Sequence, residues 1–433
     1  METNTLVLAD TKQVVVGERH APLAEGTHVI PRIRRIQVRN YKSLAQVDVT
    51  LERFTILIGP NGSGKSNFID ALAFVQECLA ESIELAFKNR GGIGAVRRRS
   101  GGHPTHVGIR VVIDLEEAST AEYAFEIAAK PRERFSVSRE RCSIWPSPLR
   151  EHPDGYTFEI FNGEFSKPIP GIRPKVSKDR LALFAASATE EFRPVYDFLT
   201  SMRFYSIAPP QLRELQEPDP GDFLKRDGSN AAAVLKRLQE EDSSENYHRL
   251  CRLLARVVTG VDRAEYRAVG QKETLQFRQD VGLKHPWTFD ALNMSDGTLR
   301  VLGLLLALYQ PGRATMIAVE EPEATVHPAA AELLVEVFLD ACTERQIVIT
   351  THSPDLLDSK RVQDGMIRAV TMQRGSTLIA PVTESGRTAI RSQLYSPGEL
   401  LRSGELEPDI AAADEAAAQL NLFGPPLTPT EPA

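Results

Sequence analysis

Residues 59–66 read Gly-Pro-Asn-Gly-Ser-Gly-Lys-Ser, the G-x-x-x-x-G-K-[ST] spacing of a phosphate-cradling loop. Glycines let successive backbone N–H groups turn inward around phosphate oxygens. The Lys65 ammonium brings a point charge to the β/γ oxygens, and the Ser66 hydroxyl is suited to ligate Mg2+. Asn61, Gly62, Ser63, Gly64, Lys65 and Ser66 are thus the candidate residues for binding a nucleoside triphosphate. Such a loop needs carboxylates to hold the metal and activate water. The run Met-Ile-Ala-Val before Glu320 has the apolar pattern of a buried strand and ends in Glu320-Glu321-Pro322-Glu323. A carboxylate at the end of such a strand can reach Mg2+, and the next one can polarise the attacking water. Three glutamates there could instead form a solvated loop. That alternative is weak, because they follow directly on the apolar run, at the carboxyl edge of a sheet where ligands bind.

Two weaker signals flank the acidic motif. Ser295-Asp296-Gly297-Thr298 opens the apolar helical stretch LRVLGLLLALY, and serine and glycine at a helix N-terminus suit an anion. An ordinary helix cap is the plain alternative. Downstream, Gln346-Ile-Val-Ile-Thr-Thr leads into His352, and a lone histidine at a strand end is more often structural than catalytic. Order and spacing raise both: Ser295 lies 25 positions before Glu320, and His352 lies 31 after Glu321.

The elements that must carry these residues follow from periodicity. The apolar run 54–58 predicts a strand feeding the phosphate loop, with a helix over 65–88. Segments 33–38 and 47–51 look like strands leading into it. Residues 91–102 form a Gly/Arg loop, and 107–115 and much of 123–163 read as strands and turns. The pattern is helical from 180 to about 258, with Ser229 or Asn230 predicted to cap the helix that starts AAAVLKRL. Short strands follow at 274–277 and 287–289, then alternating helix and strand to about 392. Residues 404–433 are acidic and Ala-rich, then Pro-rich, predicting a helix that runs into a disordered tail.

Composition sets outer limits. The chain has 433 residues, with 42% hydrophobic and 25% charged, ordinary for a globular protein. A net charge of −7 excludes a generally basic nucleic-acid binder, so any DNA contact must come from local patches. Cys78, Cys142, Cys251 and Cys342 are dispersed without metal-ligand spacing and read as reduced thiols of a cytoplasmic protein. Neither a signal peptide nor a membrane-spanning run is expected, and residues 1–30, with β-like pieces at 6–8 and 14–16, suggest no chemistry.

Taken together, NYKSL at 40–44, GPNGSGKSNF, LKRDGSN, SDGTLR, EEPEATVHP and TTHSPDLLD resemble the compact bacterial ABC-type ATPases of the RecF/SMC class. The resemblance is to the branch whose EEPE acidic motif is shared with overcoming-lysogenization-defect nucleases and phage-defence ATPases. It implies an α/β fold: an ABC-type, RecF/SMC head-like P-loop NTPase with a mixed antiparallel β-subdomain and a helical insertion. The implied organisation is an N-terminal extension (1–30), an ATPase domain (31–400, with the β/helical insertion at about 120–270) and a C-terminal helix with a flexible tail (401–433). Carried over, Ser295 and Gly297 would contact the γ-phosphate bound by the opposite subunit, so that two ATPs are sandwiched in a head-to-tail homodimer, with higher oligomers open. Glu321 would be the catalytic base, His352 the γ-phosphate-sensing switch, and Ser66 and Glu320 the metal side.

The chain departs from the pattern at four places. Glu320 stands where many relatives have Asp. The loop Ala324-Thr-Val-His327 lacks the usual small-residue-Leu-Asp contact. Gln211 and Gln216 are glutamine-loop candidates in name only, and Asp296 replaces the second residue of the usual S-G-G. No coiled coil separates the two halves of the site, and no nuclease motif follows the histidine.

The resemblance implies a nuclease or toxin as partner, with genome defence as the favoured setting. A RecF-like repair mediator and a nucleotide-gated scaffold with negligible turnover are the rivals. Arg97, Arg98 and Arg99 form a basic run that could contact DNA or be a solvated loop. Gln419-Leu420-Asn-Leu422-Phe423 looks like a sliding-clamp peptide on a flexible leash. Its plain alternative is a helix end packing Leu420, Leu422 and Phe423 on the body.

Overall fold

The five residues of Phe54–Ile58 are all buried and form a central strand of a six-stranded sheet. A computed structural model of the chain describes residues 30–425 apart from 101–104, 117–118, 146–154, 178, 241–244, 259, 281, 283–284 and 328–329. The sheet order is Ser376–Ala380, Ile367–Gln373, Phe54–Ile58, Gln346–Thr351, Met316–Glu320, Arg203–Tyr205. All neighbours are parallel except the edge strand Ser376–Ala380. The sheet is covered on both faces, so its strands read as unbroken apolar runs. Alternation is nonetheless strict: Leu57, Met316, Ala318, Val348 and Val370 enter one core, while Ile56, Ile317, Val319, Ile349 and Ala369 enter the other.

The first core lies between this sheet and a seven-stranded antiparallel sheet. That second sheet contains Arg32–Tyr41, Leu44–Thr50, His106–Asp114, Thr120–Lys130, Arg134–Trp145, Tyr156–Phe161 and Glu164–Lys167. Helix Lys65–Ala80 fills the space between, with Phe74 touching the rings of Tyr41, Phe87 and Phe125. The expected single helix over 65–88 is interrupted: Ser82 accepts from Leu85 N at 3.1 Å and starts a new helix, Ile83–Lys88.

The second core packs helices Ala231–Glu240, Glu245–Val257, Asp296–Tyr309 and Ala331–Ala341 on the opposite face. A three-stranded sheet, Val261–Val269, Lys272–Gln279 and Trp287–Asp290, leads into Asp296–Tyr309. Two local expectations need correction. The helical reading of 180–258 misses the edge strand Arg203–Tyr205, three residues too short to show a period. The first turn of Ala231–Glu240 takes its side-chain acceptor from Gln216, whose Oε1 receives Ala232 N at 2.8 Å. Asn230 instead turns back to Lys225 N.

The C-terminus also departs from expectation. Helix Ile410–Ala418 packs on Leu44–Thr50 and Ser376–Ala380, and residues 421–425 continue onto the antiparallel sheet. Leu422 is 1% exposed and lies against Gly108, where a Cβ would collide with it. Phe423 lies under the Arg139 guanidinium, 4.4 Å from its ring centre. Arg110 and Arg141 donate to the carbonyls of Asn421, Phe423, Gly424 and Pro425 at 2.7–3.2 Å. The clamp-peptide reading of Gln419, Leu420, Leu422 and Phe423 is therefore corrected, because its apolar anchors are already used internally and no leash presents them. The pieces at 6–8 and 14–16, the N-terminal extension and the tail from 426 lie outside the described residues. The four cysteines are buried and unpaired. No helix among the described residues is long and apolar enough to cross a membrane.

Candidate active site

Strand register decides which residues meet. Thr351 pairs with Ile58 and Thr350 with Glu320, so three adjacent strands end at one level. Gly59, His352 and Glu321, the next residue of each strand, therefore emerge together at the carboxyl edge of the sheet.

The loop after Ile58 is a tight cradle. Gly62 and Gly64 have φ of 78° and 104°, conformations costly for residues with a Cβ. A Cβ on Gly62 would meet nothing within 4 Å, so this part of the loop faces open space. Thr377 fastens the back of the loop, donating to Ser63 O at 3.0 Å and bonding Ser43 Oγ at 2.7 Å. Asn67 donates to the same Ser43 oxygen.

Two observations fit this cradle to a triphosphate. Lys65 is 6% exposed, its ammonium held by the carbonyls of Gly59 and Pro60 at 2.6 and 3.0 Å. Burial lowers its pKa, opposed by the nearby charges of Glu321 and Glu323. Ser63 Oγ and Glu323 Oε2 are buried without hydrogen-bond partners, and such groups are rare unless a ligand or water completes them. Ser66, the second residue of the helix, is exposed at the mouth.

The acidic loop is held in an unusual backbone shape. Glu321 has φ 46° and Thr325 φ 65°, and left-handed conformations at non-glycine residues concentrate at functional sites. Glu321 N donates to Thr350 O at 3.0 Å, while Ala324 N donates back to Glu321 O at 3.1 Å. The Glu321 carboxylate, with 41% of its side chain exposed, faces His352 Nδ1 at 3.5 Å. Glu323 accepts from the Thr351 hydroxyl, whose oxygen also accepts Ser353 N at 3.0 Å. Glu320 accepts from Arg226 Nη2 at 2.8 Å.

Ser295 caps the helix Asp296–Tyr309, its Oγ accepting Thr298 N at 3.2 Å. Ser295 and Asp296 remain exposed. Gly297 packs so closely on the acidic loop that a Cβ would lie 2.7 Å from Thr325 O. Arg300, in the same helix, reaches Glu321 O at 3.4 Å, and burial lowers its pKa against the pull of Glu321, Glu323 and Asp296. Leu292, three residues before Ser295, is 72% exposed.

The basic run is not a uniform surface. Arg98 donates to Ser43 O at 3.1 Å, Gly375 O at 2.9 Å and Ser376 Oγ at 2.8 Å, tying the Gly/Arg loop to both sheets. The expectation that Arg97, Arg98 and Arg99 jointly face DNA is corrected for Arg98, whose donors are spent inside the fold. Arg99 is exposed.

Sequence reasoning passed over Arg226, Arg300 and Thr377. NYKSL and LKRDGSN were visible as motifs, yet nothing in them says that Ser43 meets Thr377 or that Arg226 meets Glu320.

A family model described as "AAA domain, putative AbiEii toxin, Type IV TA system" matches residues 54–358, more than half of the chain. The chain belongs to this family. Within it, the matched span runs from the phosphate-loop strand past His352. Among curated proteins, this AAA-domain chain is 28% identical over 123 residues to "Structural maintenance of chromosomes protein 1" of Schizosaccharomyces pombe, covering 25% of the chain and 10% of that protein. It is 43% identical over 44 residues to the "Chromosome partition protein Smc" of Methanocaldococcus jannaschii, covering 10% and 4%. The match thus spans a tenth or less of these relatives' length. Among solved structures, an Smc head bound to the C-winged helix domain of ScpA has a TM-score of 0.49 at 15% identity, covering 82% of this chain and 98% of that one. The head domain from Thermotoga maritima gives 0.41 at 16%, covering 81% and 99%. On the family match and its own sheet order, the chain is a P-loop ATPase of the ABC/SMC-like class.

Proposed function

We propose that this chain is a Mg2+-dependent ATPase whose catalytic sites are completed by a second copy. The convergence of Lys65, Glu320, Glu321 and His352 at one sheet edge carries this reading. In it, Asn61 to Ser66 cradle the phosphates and Lys65 neutralises their charge. Bound by Ser66 and Glu320, Mg2+ would offset charge developing on the β and γ oxygens. Glu321 accepts the proton of the attacking water, and His352 orients Glu321 and the γ-phosphate. The exposed Ser295 and the exposed Leu292 beside it support a role for the Ser295–Gly297 loop across a dimer interface, where Ser295 and Gly297 receive the partner's γ-phosphate.

The wider setting is a bacterial defence system in which the cytoplasmic dimer senses DNA or gates a separately encoded nuclease or toxin. The toxin named in the family description and the chromosome proteins among the partial relatives support that choice. The dimer is tested by mixing Ser295→Arg with Lys65→Ala. Each alone should be inactive. A mixed dimer places both defects in one site and leaves the other whole, so partial recovery of turnover is expected. Confirmed mixed dimers without recovery would contradict the composite site.

A further inference from the structure

Segment 224–230, Leu-Lys-Arg-Asp-Gly-Ser-Asn, has no part in the chemistry above, yet it is built with unusual rigidity. Its backbone runs beside residues 206–208, which extend the edge strand Arg203–Tyr205. Ser206 N donates to Arg226 O at 2.8 Å and Ala208 N to Asp227 O at 3.0 Å. Asn230, 1% exposed, closes the loop from inside. Its Oδ1 takes Lys225 N, and its Nδ2 reaches Phe223 O and Asp219 Oδ1, each at 2.8–2.9 Å. Asp227 Oδ1 accepts Ser229 N, and Gly228, at φ 85°, lies so close to Leu212 that a side chain would collide. Because Tyr205 pairs with Val319, this frame delivers Arg226 to the end of the neighbouring strand, at Glu320.

The result is a half-exposed guanidinium on a fixed frame, bonded at 2.8 Å to a carboxylate whose side chain is 14% exposed. Resting on the ATPase reading above, Glu320 is also the carboxylate on the metal side. A guanidinium bonded to this carboxylate draws on the charge that a divalent cation would use, and the two cations repel each other.

We propose that Arg226 is a positioning residue that holds Glu320 while the metal is absent and yields it when metal and nucleotide enter, so that metal affinity is set by competition with Arg226. The frame keeps the backbone in place, and the exposed end of the side chain is free to swing.

The test uses the full chain with ADP, so that no turnover intervenes, and follows free Mn2+ by electron paramagnetic resonance. Arg226→Gln should tighten Mn2+ binding roughly threefold, the scale of a partly exposed ion pair. Arg226→Lys, which keeps the charge, should fall between wild type and Gln. In a Glu320→Gln background the Arg226→Gln change should lose its effect, since the negative charge that the two cations compete for is gone. Equal or weaker Mn2+ binding by Arg226→Gln would overturn the proposal. So would a tightening that persists in the Glu320→Gln background, which would mark general charge repulsion. If wild type itself binds no Mn2+ with ADP, the nucleotide site falls and this proposal with it. Binding by wild type with no response to Arg226 overturns the competition alone.

Discussion

His352 Nδ1 lies 3.5 Å from Glu321 Oε1, although 31 residues separate them along the chain. The contact exists because Gln346–Thr351 and Met316–Glu320 are parallel neighbours ending one residue apart in register. The left-handed backbone of Glu321 adds strain on the order of 1–3 kcal/mol. Two acceptors on Thr350, its carbonyl and its hydroxyl at 3.0 and 3.2 Å, hold the Glu321 N–H in that conformation. A carboxylate so restrained faces a ring nitrogen and lies close enough to the buried Lys65 ammonium to oppose the lowering of the lysine pKa by burial, which supports the proton-accepting role proposed for Glu321.

The docked C-terminus gives the first prediction. Leu422→Ala should destabilise the chain by about 2–4 kcal/mol, the range for emptying a buried leucine site. A synthetic peptide of residues 415–427 should not bind a bacterial sliding clamp. Thermal melting and one binding titration check both parts. An unchanged melting temperature with a clamp-binding peptide would restore the leash reading.

The basic loop should separate by residue. Arg98→Ala removes three hydrogen bonds that join the two sheets and should cost about 1–3 kcal/mol. Arg99→Glu should leave stability unchanged within about 0.5 kcal/mol. If the loop contacts DNA, Arg99→Glu should weaken binding and flatten its salt dependence, because fewer counterions are released. Equal stability losses for the two variants would show that the Arg98 contacts contribute nothing.

Much of this was legible in sequence, and the boundary has a physical cause. The phosphate-loop strand, the acidic strand end and the strand before His352 are runs of local pattern, and local pattern survives folding. Their convergence was implied by the order and spacing of the motifs together with the family resemblance they carry. Contacts set by packing were not. Leu422 needs the space left by Gly108, Arg98 needs carbonyls nearly 280 residues away, and Arg226 needs the end of a strand 94 residues on. The helix break at Ser82 was written in its capping serine, yet the apolar pattern on both sides concealed it.

Glu140 predicts a pH effect unrelated to catalysis. It is fully buried and accepts from Tyr123 Oη, Ala182 N and Leu183 N at 2.6–3.0 Å. Burial outweighs these three donors and pushes its pKa from 4.5 to about 7. The folded state therefore holds a proton that the unfolded chain releases, and stability must fall as pH rises from about 4.5 to about 7. The loss should reach about 3 kcal/mol above pH 7. Urea unfolding of wild type and Glu140→Gln at several pH values measures it: the difference should move by that amount in favour of the variant. A difference that stays flat with pH would show that Glu140 remains charged throughout.

The most direct test of the account is phosphate release from ATP by wild type and Glu321→Gln, with ATP binding and sedimentation measured on the same samples. Glu321→Gln should bind ATP as well as wild type, release phosphate at least about a hundredfold more slowly, and accumulate as an ATP-bound dimer, because only water activation is lost. Wild-type phosphate release by Glu321→Gln would contradict the account.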